Sequence, residues 1–192
     1  IKDGSLSIDE FYGEKGLNNC MNRSGNKYSY KKKVLERYGP IFSRDTISKY
    51  SCKLASIINS IDKAEGVVFI YTNYIQSGII PLQLLLEQNG YKKHTGEPSL
   101  TIPSNIKPEP ISYNGIKKSS VSGKFEQAKY MVIDGSTSKK ILQHQLGIIN
   151  SKDNMNGEKI KIVLGTVVAS EGLDFKRIRS VHILDPWPHL NR

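Results

Sequence analysis

Gly165-Thr166-Val167-Val168-Ala169-Ser170-Glu171-Gly172-Leu173-Asp174-Phe175 follows directly on the short apolar run Ile160 to Leu164. That run has the character of a strand covered on both faces, as parallel sheets require. Ligands of open α/β sheets gather at the carboxyl ends of the strands, where loop amides and short hydroxyl side chains approach phosphates without steric obstruction. Thr166 and Ser170 supply hydroxyls, Gly172 lets the backbone come close, and Asp174 can accept from a ribose hydroxyl or an arginine. The same residues would also serve a plain polar loop whose glycine makes a turn.

Working outward, the pattern repeats. Val67-Val68-Phe69-Ile70-Tyr71 is a β-branched and aromatic run, and it is followed by a leucine-rich segment from about Ile79 to Asn89 with Pro81 in its first turn and Gly90 at its end. Tyr130-Met131-Val132-Ile133 is a second strand, followed by Ile141, Leu142, Leu146 and Ile149 at helical spacing. Val181 to Leu184 reads as a further strand. Ahead of the first strand, Tyr50, Leu54, Ile57, Ile58 and Ile61 share one helical face. Alternating strands and helices predict an α/β domain with an open, mostly parallel sheet and helices on both faces.

Two segments fall outside this alternation. Residues 1–44 are polar, glycine-studded and aperiodic, which predicts a linker or irregular N-terminal arm ahead of a domain spanning 45–192. Residues 92–128 hold Pro98, Pro103, Pro108 and Pro110, half of the 8 prolines, and read as an insertion or long loop.

The 192 residues suit one α/β core and are short for two domains. Lys and Arg number 28 against 18 acids, a net charge of +10 that favours a polyanionic partner such as nucleic acid. The surplus is spread along the chain, with Lys31-Lys32-Lys33 as its one cluster. Two cysteines, Cys20 and Cys52, exclude a disulfide framework and a four-thiolate zinc site. No pair among His94, His144, His182 and His189 has metal-ligand spacing on one helix face, so no metal site is expected. Asp9-Glu10 has no buried strand before it and makes no acidic metal motif. With no apolar run near the roughly 18 to 20 residues of a membrane span and no signal-like opening, a soluble intracellular protein is expected. A start at Ile1 and a stop at Arg192, straight after an apolar and aromatic run, suggest a fragment.

Thr166 to Phe175, centred on Ser-Glu-Gly-Leu-Asp-Phe, resembles motif V of superfamily 2 helicases and translocases. Ile178 to Arg192 resembles the lead-in to motif VI, most of all in the early-transcription-factor and NTPase-like helicases of large DNA viruses. Glu65 to Thr72 resembles motif IV, Leu84 to Tyr91 the helix end after it, and Asp134 to Ser138 the strand-end turn before motif V. The likeness covers roughly residues 46–91 and 129–192, in the family's order, and leaves 1–44 and 92–128 unmatched.

The resemblance implies a RecA-like helicase C-terminal lobe, truncated before motif VI. It implies that Thr72, Asn73, Gly135, Thr137 and Thr166 line a nucleic-acid face, holding backbone phosphates rather than reading bases. Gly172 and Asp174 would face an ATP cleft near the ribose. Implied partners are DNA or RNA, the N-terminal RecA-like lobe of the same protein and the transcription machinery of a virus, in host cytoplasm or virion. ATP and Mg²⁺ would be bound mainly by the other lobe, because no Gly-x-x-x-x-Gly-Lys-Ser/Thr loop occurs here: Gly123-Lys124 is followed by Phe125. No catalytic residue is therefore expected in this chain. Lys139 and Lys140 stand where related translocases often carry an arginine a few positions later. The alternative reading is a non-catalytic nucleic-acid-binding α/β module.

Overall fold

The computed structural model describes residues 12–94, 100–101, 107–169 and 172–186. Its centre is a five-stranded sheet, ordered β4 (Lys92–Lys93), β5 (Lys129–Ile133), β6 (Ile162–Gly165), β3 (Val67–Tyr71) and β7 (Ile178–Ile183), with every neighbouring pair parallel. Parallel neighbours need crossovers, and helices supply them. α5 (Ile80–Gln88) connects β3 to β4 and α6 (Lys139–Asn150) connects β5 to β6, while α4 (Cys52–Lys63) leads into β3. Each begins on a sequence signal. The Ser51 hydroxyl accepts from Leu54 N at 3.2 Å, Ser138 Oγ from Ile141 N at 3.4 Å, and Pro81 occupies the first turn of α5.

Side-chain alternation along β3 sorts the core into two halves. Val68 and Ile70 face a cluster with Ile57, Ile58 and Ile61 of α4 and the leucines of α5. Val67 and Phe69 face a second cluster with Met131, Val163 and Ile149 of α6. The expected open parallel α/β sheet with helices on both faces is thus the observed one.

Residues 12–44 differ from the expected irregular arm. They form α1 (Gly13–Cys20), a hairpin of β1 (Met21–Ser24) and β2 (Lys27–Tyr30), then α2 (Lys32–Tyr38) and α3 (Arg44–Ile47). Leu17, Met21, Tyr28, Tyr30 and Phe42 are buried in the same cluster as α4 and α5, so this segment is part of the domain. Elements of four to eight residues are too short for an apolar period to show. Residues 1–11 lie outside the described part, Asp9 and Glu10 among them.

The hairpin supplies one partner for α5, whose polar residues Gln83, Glu87 and Gln88 are buried along with its leucines. A helix covered on all sides needs partners for every polar group. Tyr30 donates to Gln88 Oε1 at 2.7 Å, and burial pushes its phenol up to about 12. The Glu87 carboxylate accepts from Tyr130 Oη at 2.6 Å and Thr101 N at 3.0 Å.

The proline-rich stretch enters the sheet at Lys92 and Lys93 and is irregular through most of 107–128. It is nonetheless tied down: Ile111 is buried, Ala128 N donates to Ile111 O at 2.8 Å, and Gln127 Nε2 donates to Gly90 O at 2.8 Å. Pro98 and Pro103 fall outside the described residues.

Candidate functional site

The strand register decides which loops meet. Tyr71 pairs with Gly165 and with Ile183, and Gly165 pairs with Ile133. Four parallel strands therefore end level, and the residues that follow them share one edge. Thr72 N donates to Gly165 O at 3.0 Å, Thr166 N to Ile133 O at 3.1 Å, and Leu184 N to Tyr71 O at 2.9 Å. Thr72, Asn73, Thr166 and the turn carrying Gly135 and Thr137 are brought together here.

They differ in what they offer. Thr72 is fully buried, and its hydroxyl donates to Asp185 Oδ2 at 2.9 Å. The same carboxylate oxygen accepts from Asn73 N at 2.7 Å, and Asn73 Nδ2 donates to Asp185 O at 3.2 Å. Asp185 thus clasps the ends of β3 and β7, a role that sequence reasoning missed. Its only signal was an acid one residue beyond a strand-like run. Gly78, in the single π-helical turn Ile75–Ile79 before α5, packs on this clasp: a Cβ there would fall 2.0 Å from Thr72 Oγ1. In this arrangement Thr72 shapes the edge instead of presenting its hydroxyl.

The turn after β5 is more open. Asp134 Oδ1 accepts from Ser136 N at 2.9 Å and Ser136 Oγ at 2.6 Å, and Thr137 Oγ1 accepts from Asp134 N at 3.2 Å. This is the self-bonded geometry that Asp, Ser and Thr give to turns. Gly135 is exposed with nothing near a would-be Cβ, and Lys139 and Lys140 stand exposed in the first turn of α6. Thr166 is buried, its carbonyl accepting from Ala169 N at 2.8 Å.

Gly172 and Asp174 lie elsewhere. After the 3₁₀ turn Val167–Ala169 the chain crosses the α6 side of the sheet. Phe175 packs against Phe69 at a tilt, with ring centroids 5.4 Å apart and an interplanar angle of 43°. Asn150, the last residue of α6, donates to Asp174 O at 2.7 Å and accepts from Lys176 N at 2.7 Å. Since α6 leads from the carboxyl end of β5 to the amino end of β6, Asp174 is anchored far from the threonine edge. Gly172 adopts φ 73°, a left-handed conformation that suits glycine. The Asp174 side chain is exposed, with Lys176 Nζ at 3.7 Å. Ser170 and Glu171 lie outside the described residues, as do 187–192 of the segment likened to the motif VI lead-in.

No protein-family model matches the chain. Individual proteins do. The chain is 27% identical over 193 residues, 98% of its length, to a protein of Acanthamoeba polyphaga mimivirus named as an ATP-dependent RNA helicase. It is 31% identical over 141 residues, 73% of its length, to a killer-plasmid helicase of Kluyveromyces lactis. The chain is a helicase-family domain. A further relative, 24% identical over 68% of the chain, is an early transcription factor large subunit homolog of African swine fever virus. This helicase domain spans 28%, 19% and 11% of the lengths of these three relatives. Its sheet is the RecA-like α/β sheet that the sequence implied. Among the described residues no cluster of three His, Cys, Asp or Glu could hold a metal ion, and no helix is long and apolar enough to cross a membrane.

Proposed function

We propose that the chain is the second RecA-like lobe of a superfamily 2 nucleic-acid-dependent ATPase. In this reading its carboxyl edge grips backbone phosphates and its Gly172–Asp174 segment completes an ATP cleft with another lobe. The observation that supports this reading best is the level ending of four parallel strands, which sets Asn73, Gly135, Thr137 and Thr166 in one row beside the exposed Lys139 and Lys140. A row of amides, hydroxyls and lysines suits phosphates, which lie at regular intervals and carry no base identity. Thr72 and Asp185 hold the row in place. Gly172 and Asp174, on the α6 side, belong to the nucleotide, with Asp174 accepting from the ribose. ATP and Mg²⁺ are then bound mainly by the other lobe, and closure of the cleft moves one phosphate grip relative to the other. The viral relatives support a setting inside an infected cell, and the early transcription factor homologs favour viral transcription as the process served.

Two results test this. The 192-residue chain should show no ATP turnover, because a phosphate-cradling loop is missing from its sequence. Steady hydrolysis that survives a further purification step and is abolished by Asp174→Ala would refute the division of labour. Thr166→Ala should weaken single-stranded oligonucleotides of unrelated sequence by the same factor, since a hydroxyl-to-phosphate bond reads no base. A loss confined to one sequence would contradict it.

A further inference from the structure

Beside the threonine edge lies a groove of about 1060 Å³, bounded by the β1–β2 hairpin on one side and by α6 on the other. That is the upper end of the range of ligand sites, about 300 to 1,000 Å³. Part of its lining is apolar, with Ile79, Ile80, Leu100, Val132 and Ile141. The lining also holds cations, Arg23 of the hairpin, which pairs with Glu14 Oε1 at 3.0 Å, Lys93 at the end of β4 and Lys140 of α6, together with one acid, Asp134. Thr137 of the proposed phosphate row and its neighbour Ser136 line the same groove, so it opens directly onto that edge.

Two lining side chains are incompletely satisfied. Gln145, only 4% exposed, has no hydrogen-bond partner for its Oε1, and His94 has none for its Nδ1. Leaving a buried polar atom unpaired costs about 1–3 kcal/mol, so such atoms mark places where something else completes the bonding. Neither group is charged in the required sense. Gln145 is an amide, and burial, with Lys129 and His144 nearby, moves the His94 pKa down and keeps its imidazole neutral at neutral pH. Apolar side chains, a neutral amide and imidazole with unpartnered atoms, and cations in the same lining together match a flat heteroaromatic ring attached to phosphates.

We propose that this groove holds one unstacked nucleobase of the strand gripped at the carboxyl edge. The base lies against the isoleucines and bonds to Gln145 and His94, while its flanking phosphates meet Arg23 and Lys140. The proposal rests on the phosphate-gripping reading and adds to it a role for the N-terminal hairpin. Single residues accept any base, since an amide can present either its oxygen or its nitrogen, so the site adds affinity with little sequence selection.

The test uses the whole chain with two fluorescein-labelled single strands of equal length, one normal and one in which every nucleotide is abasic. The normal strand should bind several-fold more tightly, and Gln145→Leu, of similar size and without a polar group to satisfy, should remove most of that difference while leaving the abasic strand's affinity unchanged. A 2-aminopurine placed within the strand should brighten on binding, as unstacking demands. Equal affinity of the two strands with no brightening would overturn the base site and leave the phosphate grip standing. Failure of both strands to bind at low salt would overturn the two together.

Discussion

Phe69→Ala should lower the free energy of unfolding by roughly 3–5 kcal/mol, the range for truncating a packed aromatic residue. The ring is 8% exposed, sits among Val67, Met131 and Val163, and carries Phe175 on its outer side. Removing it opens a void under the segment that carries Phe175, and the aromatic pairing of about 0.5–1.5 kcal/mol is lost as well. A denaturant titration should show a lower midpoint with an unchanged slope. Amide exchange of Lys176, bonded to Asn150, should speed up more than that of Ile162 in β6. A loss below about 1 kcal/mol, or equal acceleration at the two amides, would show that Phe175 does not rest on Phe69 in solution.

Asp185→Ala should cost about 2–4 kcal/mol. Its carboxylate receives the Thr72 hydroxyl and the Asn73 amide, and bonds to a charged acceptor contribute about 1.5–3 kcal/mol each before allowance for the partial exposure of Asp185. Alanine leaves the buried Thr72 hydroxyl and the Asn73 N–H without that partner. Asp185→Asn keeps one acceptor oxygen and should cost about half as much. Because Thr72→Val removes the same bond from its other end, the double variant Asp185→Ala/Thr72→Val should fall short of additivity by about 1 kcal/mol. Full additivity in thermal or chemical melts would dissolve the clasp.

Much of the sheet was legible in the sequence because its strands are continuous apolar runs. Val67–Tyr71 is both the run and the strand, Tyr130–Ile133 lacks only Lys129, and Ile141 to Ile149 falls inside α6. The segment 12–44 was illegible for a physical reason. Its buried residues, Leu17, Met21, Tyr28 and Tyr30, come from elements too short to display a period, and they are buried in a cluster shared with α4 and α5, which no local pattern reports. β4 was hidden likewise: Lys92 and Lys93 have no strand propensity and pair only because β5 offers an edge. At the site, sequence placed Thr72 and Thr166 at strand ends correctly but could not tell that Thr72 turns inward. That follows from Asp185, which meets it only through the β3–β7 register. Gly172 and Asp174, close in sequence to Thr166, are carried away from it by the crossing that Phe175 anchors.

The central claim is that this helicase-family domain holds nucleic acid by its backbone, along the carboxyl edge of the sheet. Fluorescence anisotropy of two single-stranded oligonucleotides of unrelated sequence, across a salt series, tests it most directly. With about three phosphates held, log Kd against log salt should have a slope near 2 in magnitude, since single strands release about 0.7 counterion per phosphate. Both sequences should follow the same line, with dissociation constants toward the weak end of about 10⁻⁴ to 10⁻⁶ M at physiological salt, and Thr166→Ala should displace both lines equally. An affinity that ignores salt, or a strong preference for one sequence, would contradict the account.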